Sequence, residues 1–323
     1  MPLRVPRREF LAGMGAMAAA STLSCLPAQA LLAPELLYPP VELTYFDKPI
    51  STGPAEIHIG YAAITWDGND RQAIQDIAEL GFRGIQLRSN CIREFGSPAI
   101  LRDLLQKYAL TMVALSSGDL GLDRLKSKEI ARHTANAKFV RDVGGFYLQI
   151  IDQSPHDRRI TTTEYKPLGR LLTEIGKRTA DLGVSLAYHN HMGSLSERPE
   201  GLDRIMQAAD PRYVKLLLDV AHYFQGGGDP VGAITKYRER LLFLHIKDVA
   251  QLAGARDAKP SYRFVELGRG QVELPAIFRA LNKVNFRGWV VVELDAVSDR
   301  NRTPKESALI NKKYLQERLG LTV

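Results

Sequence analysis

The sequence predicts an α/β chain folded as one (β/α)8 TIM barrel, and three observations carry that prediction. After residue 55, short apolar runs and amphipathic stretches alternate eight times. Four of the apolar runs stop at metal-ligand chemistry: Leu186-Ala187-Tyr188-His189-Asn190-His191, Leu218-Asp219-Val220-Ala221-His222, Leu244-His245-Ile246-Lys247-Asp248 and Val290-Val291-Val292-Glu293-Leu294-Asp295. In a parallel barrel the carboxyl ends of the strands converge on one mouth, so such endings gather in one place. The length also fits: 323 residues exceed a small domain, and a barrel of this type needs roughly 250.

In chain order, strands are expected over residues 57–64, 84–87, 111–115, 146–150, 184–189, 214–219, 241–246 and 289–293. Each is a short apolar run, as strands buried on both faces require. Helices are expected over 70–80, where Ile74, Ile77 and Leu80 share a face, and over 126–142, 163–182, 274–284 and 304–319. Gly81, Gly183 and Gly288 fall between a helix and the next strand, where a left-handed residue ends the helix. Asp229-Pro230 reads as a helix start, and Gly226-Gly227-Gly228 before it as a flexible loop at the site rather than a phosphate cradle. The first strand is not followed by Gly-x-Gly-x-x-Gly, which argues against a dinucleotide-binding open sheet.

The N-terminal 55 residues read differently. Pro6-Arg7-Arg8-Glu9-Phe10-Leu11, the small and apolar run from Ala12 to Leu23, and Ala28-Gln29-Ala30 follow the order of a twin-arginine signal peptide over residues 1–30. A periplasmic or secreted location follows, without stable membrane insertion after cleavage. Residues 31–55, with Pro34, Pro39, Pro40 and Pro54, read as an extended arm, and 56–323 as the barrel. Removing the leader takes Arg4, Arg7, Arg8 and Glu9 away, so the net charge falls from +7 to 7 − 2 = +5. The remaining charges form no basic stripe, which speaks against nucleic acid as a partner. Of the two cysteines, Cys25 belongs to the leader, so Cys91 has no intramolecular disulfide partner.

At the strand ends, Asp219, His245 and Glu293 offer two hard oxygens and an imidazole, a set that suits one divalent ion of Mn, Mg, Co, Fe or Zn. On the fifth strand His189 and His191 alternate with Asn190, so both face inward while Asn190 faces the helices. His189 is taken as the fourth ligand and His191 as a substrate contact. His222, three residues after Asp219, could bind substrate or orient a ligand. Lys247 points the same way as His245 and could hold an oxyanion or donate a proton, or pair with Asp248 or Glu293. Trp66 could stack on a sugar face or join the core. Gln86 and Arg88, ending the second strand, and Ser116-Ser117-Gly118-Asp119, ending the third, are further polar contacts.

These residues resemble the xylose isomerase-like TIM barrels, the group that holds sugar isomerases and epimerases, inosose dehydratase and the class II AP endonucleases. The resemblance spans residues 57–318. It rests on Gly60-Tyr61-Ala62-Ala63-Ile64-Thr65-Trp66, Tyr188-His189-Asn190-His191-Met192-Gly193, Leu218-Asp219-x-x-His222, His245-Ile246-Lys247-Asp248, Leu267-Gly268-Arg269-Gly270 and Gly288-Trp289-Val290-Val291-Val292-Glu293, several of which look most like the inosose dehydratase branch. It implies a metal at Asp219, His245 and Glu293 and proton removal next to a carbonyl. Epimerases of this family use two glutamates, and here His189 stands where the second would be. The expectation from sequence is a metal-dependent isomerase or epimerase acting on an unphosphorylated sugar or keto-sugar, with Glu293 as base and Lys247 or His222 as acid. The alternatives are a lyase acting on a keto-inositol or 3-keto-glycoside, and a sugar-binding barrel without catalysis. A homo-oligomer is compatible with such a barrel.

Overall fold

The structure, a computed structural model, describes residues 56–154, 161–252 and 262–323. The expected signal peptide and extended arm therefore lie outside the described residues.

Eight parallel strands close into the expected barrel. They are β1 (Ile57–Ala62), β2 (Gly84–Arg88), β3 (Thr111–Gly121), β4 (Tyr147–Gln153), β5 (Ser185–His189), β6 (Val214–Asp219), β7 (Leu241–Ile246) and, last in the chain, β10 (Gly288–Val292). Around the barrel the order is β1-β10-β7-β6-β5-β4-β3-β2. A two-stranded antiparallel ribbon, β8 (Asp248–Gln251) with β9 (Tyr262–Val265), is inserted after β7. Its strands are only four residues each, and the sequence reading did not foresee them.

Ten α-helices are described: α1 (Asp70–Glu79), α2 (Asn90–Phe95), α3 (Pro98–Lys107), α4 (Lys126–Val143), α5 (Tyr165–Ala180), α6 (Pro199–Ala208), α7 (Val220–Gln225), α8 (Pro230–Lys236), α9 (Leu274–Lys283) and α10 (Pro304–Leu319). None of the described helices is long and apolar enough to cross a membrane. Proline at the first turn starts α8, α9 and α10, and Thr303 with Glu306 forms a capping box on α10. Gly81 and Gly183 take positive φ, 93° and 74°, where the chain turns from a helix into a strand.

Two local readings change. The first strand stops at Ala62 because Ala63–Trp66 coils into a 3-10 helix. β3 runs on past Leu115, because a register shift between Ser116 and Asp119 lets the polar segment keep pairing with β4. The triple glycine is not a loose loop either. A Cβ on Gly226 would sit 1.8 Å from the Glu197 carbonyl oxygen, and one on Gly228 would sit 2.3 Å from the Tyr223 ring. Close packing therefore demands glycine at both.

Hydrophobic side chains divide into two sets. Most lie between strands and helices, the main core. A second set fills the barrel itself: Ala62, Val113, Ala114, Ala187, Leu217, Phe243 and Val291. The strand period of two places the next inward residue two positions on. After Ala187, Leu217, Phe243 and Val291 that residue is His189, Asp219, His245 and Glu293 respectively. The apolar plug thus forms the floor on which the polar layer stands.

Candidate metal centre

Three of the four expected ligands meet closely. One ligand atom from each of His189, Asp219 and His245 lies within 4.8 Å of the others, and all three residues are buried. Asp219 Oδ2 is 3.6 Å from His189 Nε2 and 3.5 Å from His245 Nδ1. Glu293 Oε1 joins them through His245 Nδ1 at 3.3 Å. A tetrahedral ion with ligands about 2.0–2.1 Å away would separate those ligands by about 3.4 Å.

The satisfaction of each polar atom tests the fit. Among the described residues, the buried side-chain atoms without a hydrogen-bond partner are Thr134 Oγ1, His189 Nε2, Asp219 Oδ2 and His245 Nδ1. Buried polar atoms are rarely left alone, and here three of them face one point. Their opposite ends are all engaged. Asp219 Oδ1 accepts from the backbone N–H of Ala221 (2.9 Å) and His222 (2.8 Å), capping α7. His245 Nε2 bonds Gln86 Oε1 at 2.8 Å, and His189 Nδ1 bonds Gln149 Nε2 at 2.6 Å. Asn190, facing away from this point, exchanges two bonds with the Asp219 backbone, 3.0 and 3.1 Å long, and so fixes β5 against β6. The donor set fits a divalent cation.

The electrostatics agree. Burial pushes the Asp219 carboxyl up, but His222, Lys247, His189 and His245 together hold it well below the usual range, so it is ionised. Burial pushes His189 down to about 4, so it is neutral and keeps a lone pair. Burial also disfavours charge on His245, but Glu293 and Asp219 raise it to about 9. A proton is thus held on His245 at the point where a cation fits, and loading a metal would release it.

Lys247 is fully buried. Its ammonium donates to Glu293 Oε1 (3.0 Å) and to Asp295, approaches His222 Nε2 at 3.3 Å and lies over the Phe264 ring. Burial disfavours its charge, yet Asp295, Glu293 and Asp219 push its pKa upward, so it stays protonated. Burial likewise opposes ionisation of Glu293, but His245 and Lys247 hold it well below the carboxylate range. Asp248 pairs with neither. It accepts from the N–H groups of Val249, Gly268, Gly270 and Val272 and pins the loop after β9.

Beside this cluster opens a cavity of about 250 Å³, lined by residues that include Gln86, Arg88, Gln149, His189, His191, Glu293 and Asp295. Of the expected substrate contacts, Arg88 and His191 line it. His191 bonds the Met192 carbonyl through Nδ1 at 2.7 Å, and its ring lies 3.8 Å from that of His222. His222 stands behind, bonded to the Met192 N–H. The structure does not bring Trp66 to the cavity. Its ring is buried edge-on to Tyr61, and its Nε1–H donates to Asp76 Oδ2 at 2.8 Å. The 3-10 turn after β1 directs it back into the core. Gln149 and Asp295 were missed as site residues. A lone glutamine at an inward position of an apolar strand was the available signal for the first.

Residues 74–315 match the xylose isomerase-like TIM barrel family. The chain belongs to that family. It is 30% identical over 269 residues to the rhizopine catabolism protein MocC of Rhizobium meliloti, covering 74% of this chain and 82% of that one. It is 27% identical over 270 residues to the inosose dehydratase of Geobacillus kaustophilus, covering 73% and 87%. In fold it is similar to the IolI protein with a bound zinc atom, with TM-score 0.69, 18% identity, and 80% and 97% of the two chains covered. It is also similar to the probable 3-DHS dehydratase AsbF of Bacillus anthracis, with TM-score 0.67, 16% identity, and 81% and 99% covered. These findings correct the expectation of an isomerase or epimerase. Inosose dehydratases at 23–27% identity stand among its relatives, which favours the lyase alternative over an isomerase or epimerase.

Proposed function

We propose that this chain is a carbon–oxygen lyase that removes water from a cyclic keto-polyol of the inosose type. The observation that carries the reading is the similarity to inosose dehydratases over most of both chains. His189, Asp219, His245 and Glu293 would hold one divalent ion, which when bound would supply Lewis-acid polarisation of a substrate oxygen.

The proton movements belong to the chain. Glu293, ionised and at the cavity wall, takes the proton from the carbon next to the carbonyl. His191 lines the same cavity and delivers a proton to the hydroxyl on the following carbon. The C–H and C–O bonds break, a C=C bond forms in conjugation with the carbonyl, and water leaves. Of the parts its position in sequence allowed, Lys247 takes the pairing with Glu293 rather than proton donation. Its ammonium is buried behind Glu293 and Asp295, so it holds both carboxylates in place and keeps Glu293 ionised. Arg88 and Gln86 orient substrate hydroxyls. Pre-organised charge of this kind does not need to rearrange during the reaction.

A second reading, elimination from a keto-glycoside, is favoured by one feature. Arg88 and Ser116 line both the inner cavity and an outer trough of about 500 Å³ bounded by Asp67, Asn90 and Arg93. That trough could receive a second ring.

The test is product analysis with keto-inositol and 3-keto-glycoside. An enone that absorbs in the ultraviolet and is lighter than the substrate by one water or one aglycone supports the reading. An isomer of unchanged mass sinks it. Glu293→Gln should cut the rate by roughly 10²–10⁴-fold. The twin-arginine pattern supports periplasmic or secreted placement, which fractionation of cells carrying the tagged chain would test.

A further inference from the structure

The two histidines of the cluster are joined along the cavity wall by a continuous chain of side chains. His245 Nε2 meets Gln86 Oε1 at 2.8 Å, Gln86 Nε2 meets Gln149 Oε1 at 3.4 Å, and Gln149 Nε2 meets His189 Nδ1 at 2.6 Å. All four side chains are buried, at 0–4% exposure, so each leans on its neighbour in the chain for a partner. Every link has one donor and one acceptor, so the chain has a direction.

That direction matters because a neutral imidazole carries one N–H. His245 donates through Nε2 to Gln86, so the proton that a metal would displace from it is the one on Nδ1. Followed to the other end, the same direction makes His189 Nδ1 an acceptor, which places the proton on Nε2, the atom aimed at Asp219 Oδ2. In this state His245 can turn its Nδ1 to a metal by losing one proton, whereas the single proton of His189 sits on the nitrogen that would ligate. Reversing the whole chain would ready His189 and spoil His245. Both can bind only if the chain breaks, and the Gln86–Gln149 contact, at 3.4 Å, is by far its longest link.

We propose that Gln149 is the positioning residue that admits His189 to the metal: on loading, its amide turns over, its oxygen accepts His189 Nδ1–H, and the contact with Gln86 is given up. Gln86 keeps its orientation in both states. The two ends of an amide are nearly the same size, so the turn needs no space beyond that already occupied. This proposal rests on the metal-site assignment above, and not on which bond the enzyme breaks.

Nitrogen NMR of the ¹⁵N-histidine-labelled full chain reads the tautomers directly. Wild-type protein without metal should show His189 protonated on Nε2, and zinc-loaded protein should show it protonated on Nδ1. Gln149→Glu, whose carboxylate can only accept, should place the proton on Nδ1 even without metal. Gln149→Leu should raise the zinc Kd about 10- to 100-fold, the usual effect of losing such a partner. His189 already protonated on Nδ1 in the metal-free wild type would overturn the proposal, because nothing then needs to turn. His189 still protonated on Nε2 in the zinc-loaded protein would overturn it as well, because it is then not a ligand. A folded wild type that takes up no zinc would overturn both this proposal and the metal centre. The product assay judges the dehydration reading separately.

Discussion

Asp219 divides its work between its two oxygens. Oδ1 caps α7 by accepting from two backbone N–H groups, while Oδ2 is buried without a partner beside two imidazoles. The two tasks can be separated by one substitution. Asp219→Asn keeps an oxygen for the cap and replaces the other with an amide that cannot ligate. We expect a folded protein, with circular dichroism unchanged, whose zinc affinity falls by at least 100-fold. Retained zinc with unchanged affinity would remove Asp219 from the metal centre. Asp219, His189, His245 and Glu293 were legible in the sequence because an apolar run with period two states which residue comes next on the inner face. Gln149 was not legible, because its importance lies in a bond to a histidine 40 positions away. Trp66 was left open between mouth and core for a related reason: one short turn decides which way an aromatic ring looks.

At the scale of elements, α4 is tied to β3 by a buried polar clasp. Asn136 donates to Ser117 Oγ at 2.9 Å, and Ser117 Oγ lies 2.6 Å from His133 Nδ1. Glu129 and Arg132 flank the other ring nitrogen. Burial, helped by Arg132, pushes His133 from 6.5 down to about 3. The unfolded chain therefore takes up the proton first, and stability is lost as pH falls from 6.5 towards 3. The slope is at most about 1.4 kcal/mol per pH unit. Urea midpoints measured from pH 7 down to about 4 should fall more steeply for the wild type than for His133→Gln, which cannot charge. Parallel curves would show that His133 does not contribute to acid sensitivity. The variant should also be about 1–3 kcal/mol less stable at pH 7, because Ser117 loses its acceptor. The same region shows what the sequence could not disclose about elements. Ser116-Ser117-Gly118-Asp119 reads as the polar end of the third strand, yet the strand runs on through it because β4 offers a shifted register. The buried strands and long helices were legible from periodicity. The ribbon and the helices α2, α3, α6 and α7 were not foreseen; the ribbon strands and α2 and α7 are too short to declare themselves by pattern.

For the whole molecule, the cluster joins strands far apart in sequence. His189, Asp219, His245 and Glu293 come from four consecutive positions around one side of the barrel, β5, β6, β7 and the residue after β10. An ion bound to all four would exist only in the folded chain, so its binding free energy adds to stability. At a free zinc concentration about 100 times Kd that contribution is about 2.7 kcal/mol. For a barrel of this size the gain corresponds to a rise in Tm of roughly 5 °C. Scanning calorimetry with zinc and with a chelator should show that difference in the wild type and lose it in Asp219→Asn. A shift that persisted in Asp219→Asn would mean the ion stabilises the chain from elsewhere. Equal melting with and without zinc would mean that these strand ends close without an ion. If the chain is exported folded, the first outcome also sets an order of events: a barrel that gains several degrees from its metal is best loaded before it crosses the membrane.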